Sequence, residues 1–202
     1  MKCSETFYQQ PTLKLATDLL GKEIRYHSEK GQVAGIIVEV EAYKGPEDKA
    51  AHSFGGRRTK RTEIMYGPPG VVYMFMIYGM HHCLNIVSGL KGNPEAILIR
   101  AIEPTTGIDR MLKNRFPNNS GTLVKSKFKT LTNGPGKLCK ALGLTMEQYG
   151  WSLTDSPLTL HQGIEVEDKE IEAGPRINID YAAEHVHLPW RFWIKDNPFV
   201  SK

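Results

Sequence analysis

From Ile36 to Tyr43 the chain runs IIVEVEAY, an apolar, β-branched segment that takes on a carboxylate at every second position and then breaks at Gly45-Pro46. Such a segment is too short and too branched for a helix and reads as a strand. In an extended chain alternate residues share a face, so Glu39, Glu41 and Tyr43 fall on one side and Val38, Val40 and Ala42 on the other. Two readings fit. Either the acids coat the solvated face of an antiparallel sheet, or an acid and an aromatic line a site that opens where the strand ends.

Similar runs recur at Val71 to Tyr78, Cys83 to Val87, Ile97 to Ile102 and Arg191 to Ile194, punctuated by glycine and proline. Helical patterning is confined to a segment after Pro11, with Leu13, Ala16, Leu19 and Leu20 at helical spacing before Gly21, and to Ile108 to Lys113 and Pro135 to Leu142. Too few helices alternate with the strands for a doubly wound sheet. The expected architecture is α+β, a curved, mainly antiparallel β-sheet with surrounding short helices. With 202 residues, 40% hydrophobic, and no repeat or linker, the chain is expected to form a single domain over residues 1–202. The loop FPNNSG around Pro117 to Gly121 is the expected mobile insert.

No run approaches the roughly 20 apolar residues of a membrane span, and the N-terminus lacks a secretory signal, so a cytoplasmic protein is expected. Cys3, Cys83 and Cys139 are odd in number and far apart, which argues against a disulfide framework. A net charge of +4 permits polyanion binding without requiring it. Clustering says more: Arg57, Arg58, Lys60 and Arg61 crowd together after a double glycine, and Lys125, Lys127 and Lys129 form a second basic stretch.

Four constellations can carry chemistry. His52 lies between the Glu41/Tyr43 strand and the basic run, and these residue types together suit a pocket that stacks a planar ring and positions water beside a phosphate backbone. The segment Gly67 to Gly89 reads as a hairpin presenting Tyr78 or Met80 at its tip, where a large side chain can wedge between base pairs; the plainer reading is a core hairpin with a tyrosine at its bend. In LTNGPGKLCKALGL a Gly/Pro-rich turn opens a short helix, and free N–H groups near Lys137 can hold a phosphate. Arg100 interrupts the apolar run ILIRAIEP and needs a partner, a phosphate or a carboxylate such as Glu41 or Glu103. Adjacent strand residues diverge, so of His81, His82 and Cys83 only His81 and Cys83 can converge; no metal is expected.

Taken in order, EVEAYKGPEDKAAHS, GGRRTKR, YGPPGVVYMFMIYGMHHCLNI, ILIRAIEP and TNGPGK, continued through LPWRFWIKDNPFVS, resemble the alkyladenine DNA glycosylase family, also called methylpurine or 3-methyladenine DNA glycosylase. The resemblance covers nearly the whole chain. It implies a base-excision repair hydrolase that flips alkylated or deaminated purines, of the 3-methyladenine, 7-methylguanine, hypoxanthine and ethenoadenine class, from double-stranded DNA and leaves an abasic site. It implies a monofunctional monomer without cofactor or obligate protein partner, whose protruding hairpin enters the minor groove. By the same resemblance Glu41 is the general base and Arg100 stands beside its water. Tyr43, His52 and Phe75 hold the extruded base, Asn85 disfavours guanine and Tyr78 intercalates. Met80, Arg57, Arg58, Lys60 and Lys137 join Tyr78 as candidate DNA contacts. Phe75 stands where the family often has tyrosine, and His81 replaces an aromatic. Two competing readings are a lyase working through a lysine Schiff base, and a non-catalytic module that recognises distorted duplex.

Overall fold

The computed structural model describes residues 1–118 and 125–201. Two helices open the chain, α1 (Glu5–Tyr8) and α2 (Thr12–Leu19), followed by strands β1 (Glu23–Ser28) and β2 (Gly31–Tyr43). Three single-turn 3-10 segments lead to β3 (Val72–Ile77), β4 (His81–Ser88) and β5 (Glu95–Thr106), then to helices α3 (Ile108–Arg115), α4 (Lys125–Lys129) and α5 (Pro135–Leu142). Three short strands close the order: β6 (Leu158–His161), β7 (Ile171–Gly174) and β8 (Arg191–Ile194). Of the expected loop around Pro117, residues 119–121 lie outside the described residues.

Every strand pairing is antiparallel, in the order β3-β4-β5-β2-β1-β6 with β8 bridging β2 and β7, so the expected α+β architecture with a curled antiparallel sheet is what the chain forms. Helix α5 has the expected bounds because Pro135 presets its first turn and Gly143 ends it in the left-handed conformation. Helix α2 stops before Gly21, whose φ of +81 and 2.5 Å approach of a would-be Cβ to the Ile164 carbonyl admit only glycine.

One sheet face carries the core. Val40, Ala42, Val72, Met74, Leu84, Ile86, Ile97 and Ile99 pack with Leu15 and Leu19 of α2 and Leu138 and Leu142 of α5. On the other face, the pairings Tyr73↔Asn85, Asn85↔Leu98 and Leu98↔Glu41 line up one row across four strands.

Between β2 and β5 the ladder slips three times, first between Ala34 and Gly35. Ile37 pairs with Ile102 and Glu39 with Ala101, which leaves Val38 as an extra residue; Val40 then pairs with Ile99, which leaves Arg100 as another. These bulges correct one expectation and decide between the two readings of the acids. Val38 does not join Val40 and Ala42 but packs with Ile36, Ala101 and Phe199. And the carboxylates do not coat a solvated face: Glu39 and Glu41 are both fully buried, because the bulge aims Arg100 at them.

Candidate active site

The row Tyr73, Asn85, Leu98, Glu41 forms the floor of a cavity of about 570 Å³, within the range of small-molecule sites. Of the residues singled out from sequence, Glu41, Tyr43, His52, Phe75, Tyr78, Asn85, Arg100 and Lys137 all line it, as do His81 and Cys83. Met80, Arg57, Arg58 and Lys60 do not; Arg58 and Lys60 line a separate groove with Tyr66 and Tyr149. Arg58 is already engaged, donating to Glu63 at 2.8 and 2.6 Å and lying over the Tyr66 ring.

Burying two carboxylates requires donors, and the floor supplies them. Glu39 accepts from Arg100 Nε at 3.0 Å, Arg191 Nε at 2.7 Å, and the N–H and hydroxyl of Ser201 at 2.7 and 2.8 Å. Glu41 Oε1 accepts the Ile177 N–H at 2.7 Å and pairs with Arg100 Nη1 at 3.1 Å, while Oε2 accepts the Tyr43 hydroxyl at 2.8 Å. Burial tends to discharge Arg100, but Glu41 and Glu39 outweigh it and push its pKa up. Two arginines thus balance two acids. Asn197, not Arg100, donates to Glu103.

Aromatic groups build the walls. His52 Nδ1 sits 2.7 Å from the Tyr73 hydroxyl and its ring meets Phe75 edge-on at 4.7 Å. Burial, then the charges of Arg61 and Arg57, pull the His52 pKa down to about 4, so the ring is neutral at pH 7. Burial and the Glu41 charge beside it raise the Tyr43 pKa well above the phenolic value, so Tyr43 is a donor. Burial lifts Cys83 to about 11, which keeps it an unreactive thiol. The Asn85 amide donates to the Tyr73 carbonyl at 3.1 Å, which fixes its orientation at the floor.

At the mouth, the hairpin joining β3 and β4 turns through Tyr78 and Gly79, both in the left-handed region at φ 51 and 67, with the Met80 N–H bonded to the Ile77 carbonyl. That is a mirror-image turn of the kind hairpins favour, but glycine or asparagine normally occupies its first position. Here a tyrosine does, 83% exposed.

Sequence reasoning missed one wall. Ile177, Asn178, Ile179 and Tyr181 also line the cavity, on a segment with no strand or helix periodicity to reveal it. Arg176 anchors it, paired with Asp48 with both side chains fully buried. Asp48 lay inside the EVEAYKGPEDKAAHS segment, yet nothing in the spacing connects it to a residue 128 positions away. Tyr73 was also missed, although its place two residues before Phe75 on β3 was the available signal.

A methylpurine-DNA glycosylase (MPG) family profile matches residues 6–198. The chain is 51% identical to putative 3-methyladenine DNA glycosylases of Bacillus cereus strain AH820, Bacillus anthracis strain CDC 684 / NRRL 3495 and Bacillus thuringiensis strain Al Hakam, with full coverage of both chains in each case. The chain belongs to the methylpurine-DNA glycosylase family. It is a DNA glycosylase of the 3-methyladenine type, a hydrolase of base excision repair whose substrate is DNA. Among the described residues no helix is long and apolar enough to cross a membrane, and no three His, Cys, Asp or Glu side chains gather as a metal site.

Proposed function

We propose that the cavity receives a purine flipped out of duplex DNA, and that Glu41 activates the water that replaces it on the sugar. The observation that carries this reading is the hydrogen-bond count at Glu41. A carboxylate has about four acceptor positions, and Ile177, Arg100 and Tyr43 occupy three of them, leaving one on Oε2. A water held there gives its proton to Oε2 as its oxygen bonds to C1′. The C1′–N bond breaks, and its electron pair leaves with the purine. Alkylation at N3 or N7 makes the bound purine cationic, so it departs neutral; hypoxanthine and ethenoadenine leave less readily and gain from a donor to the departing base. Tyr43, His52 and Phe75 hold the ring, Asn85 restricts what fits beside it, and Tyr78 takes the vacated place in the stack. Met80, Arg57, Lys60 and Lys137 face the DNA, and Arg58 does so if it leaves Glu63. The chain works as a single-domain monomer, without a cofactor, on alkylated, deaminated and etheno purines.

Single-turnover base release from duplexes carrying 7-methylguanine or hypoxanthine tests this. Glu41→Gln is expected to slow release by at least about 100-fold while keeping lesion-duplex affinity; undiminished release overturns the assignment. Lys137 is the point at which a lyase reading is checked. Burial, and Arg115 after it, lower its pKa, as suits a Schiff-base amine, yet its Nζ is held 2.9 Å from Asn133 Oδ1. Borohydride is expected to trap no covalent DNA adduct, and a trapped adduct at Lys137 excludes the monofunctional assignment.

A further inference from the structure

The wall formed by residues 177–181 is irregular backbone that leads into a strained turn. Asn178, at φ 58, sits in the left-handed region that asparagine tolerates, and Ala183, at φ 49 and ψ −130, breaks the 3-10 segment Asp180–His187 that follows. The alanine conformation costs on the order of 1–3 kcal/mol and persists only where the surroundings hold it. Arg176, at the head of this stretch, is the strongest hold. Its Nη1 donates to the Ala42 carbonyl of β2 at 3.0 Å, its Nη2 donates to Asp48 Oδ1 at 2.9 Å, and its guanidinium carbon lies 4.8 Å from the Tyr43 ring centre and 5.0 Å from that of Trp190. The side chain is fully buried and does not line the cavity.

The next residue along carries the consequence. The Ile177 N–H is one of the donors on Glu41, and Arg176 grips the two residues that follow Glu41 on β2, the Ala42 backbone and the Tyr43 ring. We infer that Arg176 is a positioning residue for the base-release step: it pins the loop to the end of β2, so that the Ile177 N–H and the Tyr43 hydroxyl orient the Glu41 carboxylate and leave its free acceptor position facing the sugar. The inference rests on the reading of Glu41 as the base. Geometry explains why arginine stands here. A planar fork spans a carboxylate and a carbonyl while stacking on two rings, whereas a lysine ammonium meets the charge but not the span. The Nε–H is buried without a partner, a cost accepted for the placement of the rest of the group.

The test is single-turnover base release at saturating enzyme, where amplitude counts folded, competent molecules and the rate constant reports the chemical step. Arg176→Met and Arg176→Lys are compared with wild type and with Glu41→Gln, alongside lesion-duplex Kd. The expected result is full amplitude and an unchanged Kd, with a saturating rate constant lowered about 100-fold in Arg176→Met, as for an ångström-scale misplacement of a catalytic group, and less in Arg176→Lys. Wild-type rate constants in both variants overturn the inference, as does a fall in amplitude alone, which marks a folding role, or in affinity alone, which marks a binding role. If Arg176→Met does not fold, Arg176→Lys and Asp48→Asn decide by the same split. Glu41→Gln separates the two readings: normal release there overturns the base assignment, while its loss beside unaffected Arg176 variants overturns this inference only.

Discussion

The floor and the hairpin tip belong to one cavity but are built on opposite physical terms. At the floor, Glu39, Glu41, Arg100 and Arg191 sit on adjacent strands with their charges matched and their donors counted, and both acids are fully buried. At the tip, Tyr78 and Met80 are 83% and 69% exposed, with Tyr78 in a backbone conformation it has no intrinsic preference for. The floor is held by everything around it; the tip is held by its turn alone. On the proposed reading, chemistry at C1′ calls for fixed geometry, which groups standing on a sheet supply. Entry into a base stack, on the same reading, calls for an unencumbered side chain, which the end of a ribbon supplies.

The contrast breaks most easily at the floor. Arg100→Met leaves Glu39 and Glu41 buried near each other, with Arg191 answering only Glu39. Removing one partner of a buried charge cluster costs about 3–5 kcal/mol. Urea unfolding is expected to show a loss of that size, together with loss of base release. A stability equal to wild type would mean that the floor does not depend on charge matching.

How much of this could be read beforehand follows the same division. The central strands were legible because each is a branched apolar run closed by glycine or proline, and α5 because Pro135 and Gly143 bracket it. β1, with the sequence EIRYHS, was not, since charged and polar residues dominate a strand whose partners supply the pairing. The bulges were invisible: the alternation in IIVEVEAY continues straight through them, and only the ladder shows that Val38 and Arg100 fall out of step. The need for a partner at Arg100 could be read from the cost of burying it, and Glu41 is one, but the nearer role of Glu39 emerged only from the slip in register. Arg176 and Asp48 meet across 128 positions, and no local rule reaches that far.

At the tip the expected effects are smaller and of opposite kinds. Tyr78→Ala is expected to weaken binding of a lesion duplex about 10-fold, within the 1–3 kcal/mol that stacking on a base contributes, without lowering the unfolding temperature. Tyr78→Asn sharpens the point, because asparagine tolerates a left-handed backbone. It is expected to stabilise the fold by up to about 1 kcal/mol while losing the same affinity. Normal lesion binding and flipping by either variant, followed by 2-aminopurine fluorescence beside the lesion, would remove the wedge role.

His52 joins the two regions, with Nδ1 on the Tyr73 hydroxyl at the floor and its ring edge on Phe75, two residues before the hairpin turn begins at Ile77. Its pKa falls from 6.5 in the unfolded chain to about 4 in the folded one, mainly by burial and further by Arg61 and Arg57. The sign follows from proton counting. Above pH 6.5 the ring is neutral in both states and its full contribution is present. As pH falls from 6.5 toward 4 only the unfolded chain takes up the proton, and stability drains away; below about 4 both states are protonated and the slope ends. Wild type should therefore lose unfolding temperature across that window faster than His52→Gln, which has nothing to protonate there. Parallel curves would place His52 in water rather than in the wall, and the floor and tip would then lack the link that His52 provides between them.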